Sequence, residues 1–290
     1  PRKSAILNTD FPSSDWLQSV DGNKKIFSLS IPGTHETCAR YGGGHNICQD
    51  WTLEEQLING VRYIDIRCRH ISDCFMIHHG IYYQYLSFGS GVRDVCINFL
   101  RAHPSEFIFM QIAEAHTPTN NTRTFTETMQ SYIDGLESFF YLKDGSPTLD
   151  EVRGKIVILR RFDPVVAPQG NYLNFVDNAI FTSNTTIIAR IQDCYHIPTL
   201  FDRSTKWENV LTLFEEAIQN TDKDKLFINF GSGTSPLCFP NSVADYITPK
   251  IGYYLEFTQP HAFVGVIMFD FIDINYNNVI EILAQRNLID

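Results

Sequence analysis

Short apolar runs alternate with amphipathic segments from one end of this chain to the other, and that order constrains its fold more than any other feature. The runs at 26–30, 62–67, 74–77, 107–112, 156–160, 187–191, 226–230 and 263–269 are rich in Ile, Val and Phe. Strands buried on both faces read this way, as near-continuous hydrophobic stretches. Between them, 53–59, 125–140, 207–218, 243–257 and 278–285 carry helical spacing. Val92, Val95, Cys96, Phe99 and Leu100 repeat at the same period until His103-Pro104 ends the segment. Thr52 stands where a helix would be capped, with Glu54 and Glu55 in the first turn. Strand then helix, repeated, predicts a parallel α/β sheet, and this many units predict closure into a TIM-type barrel, one domain over 1–290. The polar stretches near Asn120 and at 169–184 fit no regular unit, so the barrel is expected to be distorted and irregular.

Composition narrows the partners. With 23 Lys+Arg against 33 Asp+Glu the formal charge is −10, which argues against nucleic acid and against adsorption to anionic membranes by charge alone. No apolar run approaches the roughly 18 residues of a membrane span. The 7 cysteines are odd in number and none forms a C-x-x-C pair, so buried thiols are expected rather than a zinc or thioredoxin-like motif. Asn120 and Asn184 begin glycosylation sequons, which arise often by chance. The chain opens at Pro1 rather than Met, which suggests a trimmed chain and leaves secretion open; a secreted monomer is the expectation.

A barrel places catalytic side chains at the C-terminal ends of its strands, and the polar residues of interest fall there. His35 follows the first run through Ile31-Pro-Gly-Thr. Asp65 and Arg67 end the second and share one face of a strand, with Ile66 on the other. His79 follows the third, Arg161 follows a later one, and Asp270 closes the last. Taken singly each is ordinary: an Asp-x-Arg pair can be a structural ion pair, and a loop histidine is usually a surface one. Together, two imidazoles, a guanidinium and carboxylates are the parts needed for phosphoryl transfer without a metal. No Gly-x-Ser-x-Gly nucleophile motif is present.

Ser30-Ile-Pro-Gly-Thr-His35, Tyr63-Ile-Asp-Ile-Arg67, Ile77-His-His-Gly80, Gly154-Lys-Ile-Val-Ile-Leu-Arg-Arg161, Gln192-Asp-Cys-Tyr195 and Asp270 occur in one order. This series resembles the bacterial-type phosphatidylinositol-specific phospholipase C family, its X-box region included, over nearly the whole chain. The resemblance implies a distorted barrel that cleaves phosphatidylinositol or a glycosylphosphatidylinositol lipid. In that family the inositol 2-hydroxyl attacks phosphorus, releasing diacylglycerol and inositol 1,2-cyclic phosphate. Carried over, His35 is the general base oriented by Asp270, Arg67 contacts the phosphate with Asp65 beside it, and His79 is the general acid. Arg161, Asp193 and Tyr195 match positions that grip the inositol ring. Arg67 stands where metal-dependent relatives carry acidic ligands, so no metal and no cofactor are expected.

Two positions depart from the family. The Asp that follows its first histidine is Glu36 here, a carboxylate with a longer reach toward His79. A family lysine that helps bind inositol falls at Ala113, with Glu114 beside it. For membrane approach the rim loop Pro236-Leu-Cys-Phe-Pro240 offers Leu237 and Phe239, with Tyr41 through Ile47 and Tyr82-Tyr83 as further candidates. Competing readings are a metal-dependent glycerophosphodiesterase-like barrel, an inositol-lipid binding module that has lost activity, and a glycosidase built on paired carboxylates.

Overall fold

The structure, a computed structural model, describes residues 11–162, 168–258, 262–273 and 278–288; Pro1 lies outside them. Twelve strands appear among these residues: β1 (Ile31–Thr34), β2 (Tyr63–Ile71), β3 (Cys74–His79), β4 (Tyr82–Ser87), β5 (Ile108–Thr119), β6 (Phe140–Tyr141), β7 (Ile156–Arg160), β8 (Asn171–Tyr172), β9 (Ile180–Asn184), β10 (Ile188–Gln192), β11 (Lys225–Phe230) and β12 (Val266–Phe269). The helices are α1 (Leu53–Ile58), α2 (Asp94–Ala102), α3 (Phe125–Ile133), α4 (Leu149–Val152), α5 (Arg203–Ile218), α6 (Pro240–Tyr253) and α7 (Val279–Gln285).

The sheet runs β6-β7-β5-β2-β1-β12-β11-β10-β9, with β3, β4 and β8 branching from it. The pairs from β7 through β5, β2, β1, β12 and β11 to β10 are all parallel. This is the expected irregular α/β barrel, with one open seam. Among the described residues no strand pairing joins β8 to β9; hydroxyls bridge the gap instead. The Tyr172 amide donates to Thr186 Oγ1 at 2.8 Å and the Asn174 amide to Ser183 Oγ at 2.9 Å.

Alternation along the strands sorts the core into two layers. Tyr63, Phe109, Leu159, Ile191, Ile228 and Met268 point inward and pack together. Their neighbours Ile64, Met110, Ile158 and Ile267 point outward, against Leu57, Leu100, Met129, Val243 and Leu283 of the helices. Burying each of these large apolar side chains stabilises by roughly 1.5–3 kcal/mol. Close approach at β1 requires Gly33: a Cβ there would lie 2.7 Å from Met268 Sδ and 2.9 Å from Tyr63 Cβ. At the N-terminal end of the barrel Arg62 Nε donates to Glu106 Oε2 at 2.9 Å, both side chains fully buried.

Several sequence expectations need correction. Residues 26–28 form a 3₁₀ turn, and the first strand starts only at Ile31. β2 continues to Ile71 and β5 to Thr119, so Asp65 and Arg67 lie inside a strand and the polar segment before Asn120 is paired. The run at 74–77 belongs to an antiparallel hairpin on β2, not to the parallel barrel. Within 169–184, β8 and β9 are regular strands. The 125–140 helix stops at Ile133 because Asp134 leaves helical geometry and Gly135 turns left-handed (φ +78°). Thr52 does cap α1, through a reciprocal capping box with Glu55. All 7 cysteines are free thiols, and among the described residues no helix is long and apolar enough to cross a membrane.

Candidate active site

The inward rows of the barrel turn polar above the apolar layer. The row through Ile31 and Gly33 continues to His35, that through Tyr63 to Asp65 and Arg67, that through Phe109 to Gln111. Those through Leu159, Ile191 and Met268 continue to Arg161, Asp193 and Asp270. The period of two therefore carries six strands' worth of polar side chains to one end of the barrel. Most of them line one cavity of about 350 Å³: His35, Glu36, Arg67, His79, Arg161, Asp193, Tyr195 and Asp270, with His45, Cys48 and Phe175 in its wall.

His35 Nδ1 lies 2.8 Å from Asp270 Oδ1. Burial by itself would lower the His35 pKa, but the charge and hydrogen bond of Asp270 outweigh it and hold the imidazole above its ordinary value. Burial dominates at Asp270 and raises its carboxyl. With Nδ1 committed to the carboxylate, Nε2 is the nitrogen left to exchange a proton. Gln49 Nε2 donates to the carbonyls of His35 and Phe269, both at 2.9 Å, and so anchors the turn that carries the imidazole.

Arg67 is clamped. Its Nε donates to both Asp65 oxygens at 3.2 Å, Nη2 to Asp65 Oδ2 at 2.9 Å, and Nη1 reaches Glu36 Oε1 at 3.2 Å. Desolvation would raise the Asp65 carboxyl, yet the Arg67 charge drives it well below the usual carboxylate range. Asp65 is held from behind by Gln111 Nε2 at 2.8 Å, and Tyr63 donates to Gln111 Oε1 at 2.8 Å. Glu36 adopts a left-handed backbone (φ 42°) that brings its carboxylate against both Arg67 and His79, whose Nε2 is 3.7 Å away.

The hairpin corrects the expected route of His79. Because β3 runs back along β2, its last residue returns to the level of Arg67, and His79 reaches the cavity from an antiparallel strand. Its Nδ1 lies 2.8 Å from the carbonyl oxygen of Asn46. A carbonyl only accepts, so Nδ1 carries the proton of that bond and Nε2 faces Glu36.

Arg161 stacks its guanidinium 3.6 Å from the Phe175 ring centroid, and its buried Nη1 has no hydrogen-bond partner among the described residues. Burial and the neighbouring Arg67 lower it to about 10. Tyr195 donates to Asp177 Oδ1 at 2.9 Å. The loop between β10 and α5 is braced by a residue the sequence did not single out. Lys206, 2% exposed, donates from Nζ to Gln192 Oε1 and the Cys194 carbonyl, both at 3.0 Å. Burial lowers it to about 8. Ala113 pairs with Arg67 and sits on the inward row, whereas Glu114 lies on the other face beside Cys68. No cation occupies the position where the family resemblance puts a lysine.

At the rim Leu237 is 72% and Phe239 44% exposed, the latter with its ring 4.0 Å from His45. Tyr41, Tyr82 and Tyr83 are exposed as well. Phe201, unnoticed in the sequence, is 91% exposed. Its loop is tied to the Leu237 loop by a bridge between His196 and Thr234 and by Arg203 Nη1 donating to the Ser242 carbonyl at 2.9 Å.

Two imidazoles, one backed by a carboxylate, around a clamped guanidinium on a parallel barrel are a set that can support proton transfer at a phosphodiester. Known proteins show what the chain is similar to. No protein-family model matches the chain. It is 26% identical to the 1-phosphatidylinositol phosphodiesterase of Staphylococcus aureus, over 93% of this chain and 92% of that one. It is 29% identical to that of Listeria monocytogenes, over 91% and 83%. Among solved structures, a point mutant of the phosphatidylinositol-specific phospholipase C from Staphylococcus aureus matches with TM-score 0.88 at 25% identity, over 96% of this chain and 98% of that one. The Listeria monocytogenes enzyme matches with TM-score 0.77 at 26%, over 93% and 98%. The resemblance to the bacterial phosphatidylinositol-specific phospholipases C thus holds in sequence and in fold along nearly the whole chain.

Proposed function

We propose that this protein is a phosphatidylinositol-specific phospholipase C that cleaves its lipid by general acid–base catalysis without a metal. The observation that carries this reading is one cavity shared by the His35–Asp270 pair, His79 and the doubly clamped Arg67. His35 Nε2 takes the proton of the inositol 2-hydroxyl as its oxygen attacks phosphorus. The bond from phosphorus to the diacylglycerol oxygen breaks, and His79 Nε2 donates a proton to that oxygen. The products are diacylglycerol and inositol 1,2-cyclic phosphate, so atoms and protons balance.

Arg67 supplies the charge that a cation would supply elsewhere: fixed by Asp65 and Glu36, it meets the phosphate oxygens with little reorganisation. The same pairing uses the two carboxylates that a hard divalent ion would need, which disfavours a glycerophosphodiesterase-like metal site. Arg161, with an unused N–H, Asp193 and the Tyr195 ring form the inositol subsite. With both imidazoles and Asp270 in place, a silent binding module is the weaker reading. Lost activity would leave no reason for Gln111 and Gln49 to brace the catalytic groups so closely.

The relatives are named for a lipid substrate, and one solved neighbour was studied for modulation of its membrane binding. For this chain the lipid surface would meet Leu237, Phe239, Phe201 and the exposed tyrosines by shallow apolar insertion, which a charge of −10 favours over basic steering. A secreted monomer acting on membranes from outside fits that mode. The test is turnover of phosphatidylinositol vesicles in excess chelator, followed by phosphorus NMR. Cyclic inositol phosphate is the expected product, and its absence, or its appearance only with added calcium, overturns the reading.

A further inference from the structure

Cys48 has no part in the chemistry above, yet its thiol lies in the cavity wall beside the His35–Asp270 pair. One ligand atom each of His35, Cys48 and Asp270 lies within 4.8 Å of the others, the one such cluster of three among the described residues. A second observation concerns the same carboxylate. Asp270 is 2% exposed and its Oδ1 serves His35, but Oδ2 is buried with no hydrogen-bond partner. A buried carboxylate oxygen with nothing to accept from is costly, and a cation would satisfy it.

We propose that Cys48, His35 and Asp270 form a site for a thiophilic divalent cation of the zinc class, and that its occupancy switches off the imidazole. A sulfur, a nitrogen and an oxygen are the donors Zn²⁺ prefers, and three protein ligands leave the fourth tetrahedral position open to the cavity. Hard ions such as Ca²⁺ and Mg²⁺ want several oxygens and are not served by this set. Asp270 stands on the Nδ1 side of His35, so the cation enters where the Nδ1 proton now lies. Tetrahedral bonds of about 2.0–2.1 Å put adjacent N and O ligands about 3.3 Å apart. The present separation of 2.8 Å therefore widens by a few tenths of an ångström. On binding, the Cys48 thiol loses its proton to solvent and a Zn–S bond forms. The His35 ring proton moves from Nδ1 to Nε2, so the nitrogen that faces substrate no longer has a lone pair to accept a proton. The binding stands on geometry alone; only the inhibition rests on the base role proposed for His35.

The experiment titrates the purified full chain with ZnCl₂ by calorimetry and with CoCl₂ by absorption, and repeats both on Cys48→Ala and on His45→Ala, which removes the other wall histidine. One Zn²⁺ per chain is expected, with a thiolate-to-cobalt charge-transfer band, at least about tenfold weaker binding in Cys48→Ala and unchanged binding in His45→Ala. In vesicle assays Zn²⁺ should inhibit the parent chain while equal Ca²⁺ or Mg²⁺ does not. The turnover that Cys48→Ala retains should have lost most of the zinc sensitivity of the parent. Equal zinc affinity in Cys48→Ala, or a cobalt spectrum without the thiolate band, overturns the site. A thiolate band and tight binding in a protein that cleaves no inositol lipid would leave the site standing and sink the proposed function instead.

Discussion

His79 spends its Nδ1 on the backbone carbonyl of Asn46, 2.8 Å away, and that bond decides which nitrogen the cavity receives. The hairpin of β3 brings the ring to the mouth, the loop carbonyl fixes its tautomer, and Glu36 at 3.7 Å limits its rotation. An acid positioned in this way matters in proportion to how badly the leaving group needs a proton. His79→Ala is expected to lower kcat on phosphatidylinositol by about 10²–10⁴. On an inositol phosphodiester with an aryl leaving group, which departs unprotonated, the loss should shrink by about tenfold or more. Equal losses on both substrates would contradict the acid role.

The pH profile follows from the other pair. His35 acts only when Nε2 is unprotonated, and Asp270 holds its pKa above the ordinary value of about 6.5. Activity should therefore rise with pH through a limb lying above 6.5. In Asp270→Asn burial, aided by Arg67 and opposed only by Glu36, is no longer offset by the carboxylate, so the limb should move to lower pH as kcat falls. A limb that stays in place in that variant would show that His35 does not set it.

Arg67 uses three nitrogens on two carboxylates, a geometry that lysine cannot reproduce. Arg67→Lys should lower kcat about 10²–10³-fold with a smaller change in KM, as expected for a group that acts on developing charge. If KM rises while kcat holds, the guanidinium serves only to bind.

Far from the mouth, Glu106 neutralises Arg62 where both are fully buried. It also accepts from the Leu17 amide at 3.1 Å. Glu106→Ala leaves a buried cation uncompensated and should cost about 3–5 kcal/mol in urea unfolding. Folded variant should retain the pH profile of the parent. A loss below about 1 kcal/mol would mean that water reaches Arg62.

At the rim, Phe239→Ala and Phe201→Ala should each weaken turnover of vesicles more than turnover of a soluble inositol phosphodiester. Each removes apolar area worth up to roughly 1.5–3 kcal/mol if fully inserted. Parallel losses on both substrates would move these rings from the membrane to the pocket.

Much of the site was legible in the chain because period two is local. Asp65 and Arg67 had to share a face, and His35 and Asp270 had to end apolar runs. Gln111 lies on the same inward row of β5, and only the β2–β5 register, which sets Asp65 opposite it, reveals its service to that carboxylate. Asn46 acts through a backbone carbonyl, which no residue type advertises. Lys206 braces the Tyr195 loop from the first turns of α5, and Cys48 joins His35 only through the loop that follows β1. The run at 74–77 has the apolar content of a barrel strand, but a tight turn at Ser72-Asp73, both left-handed, folds it back on β2.

By itself the sequence determined which side chains share a face within a strand, where most of the parallel strands and the longer helices lie, and which charged groups sit beyond the apolar runs. These follow from alternation, helical spacing and turn residues, all readable within a few positions. Only the tertiary structure decided that an antiparallel hairpin would deliver His79 and that, among the described residues, hydroxyls rather than strand pairing would bridge the seam. It alone left Asp270 with one oxygen on His35 and the other buried without a hydrogen-bond partner among the described residues. Those outcomes depend on register and burial among residues as many as 235 positions apart, such as His35 and Asp270, and no local pattern encodes such distances.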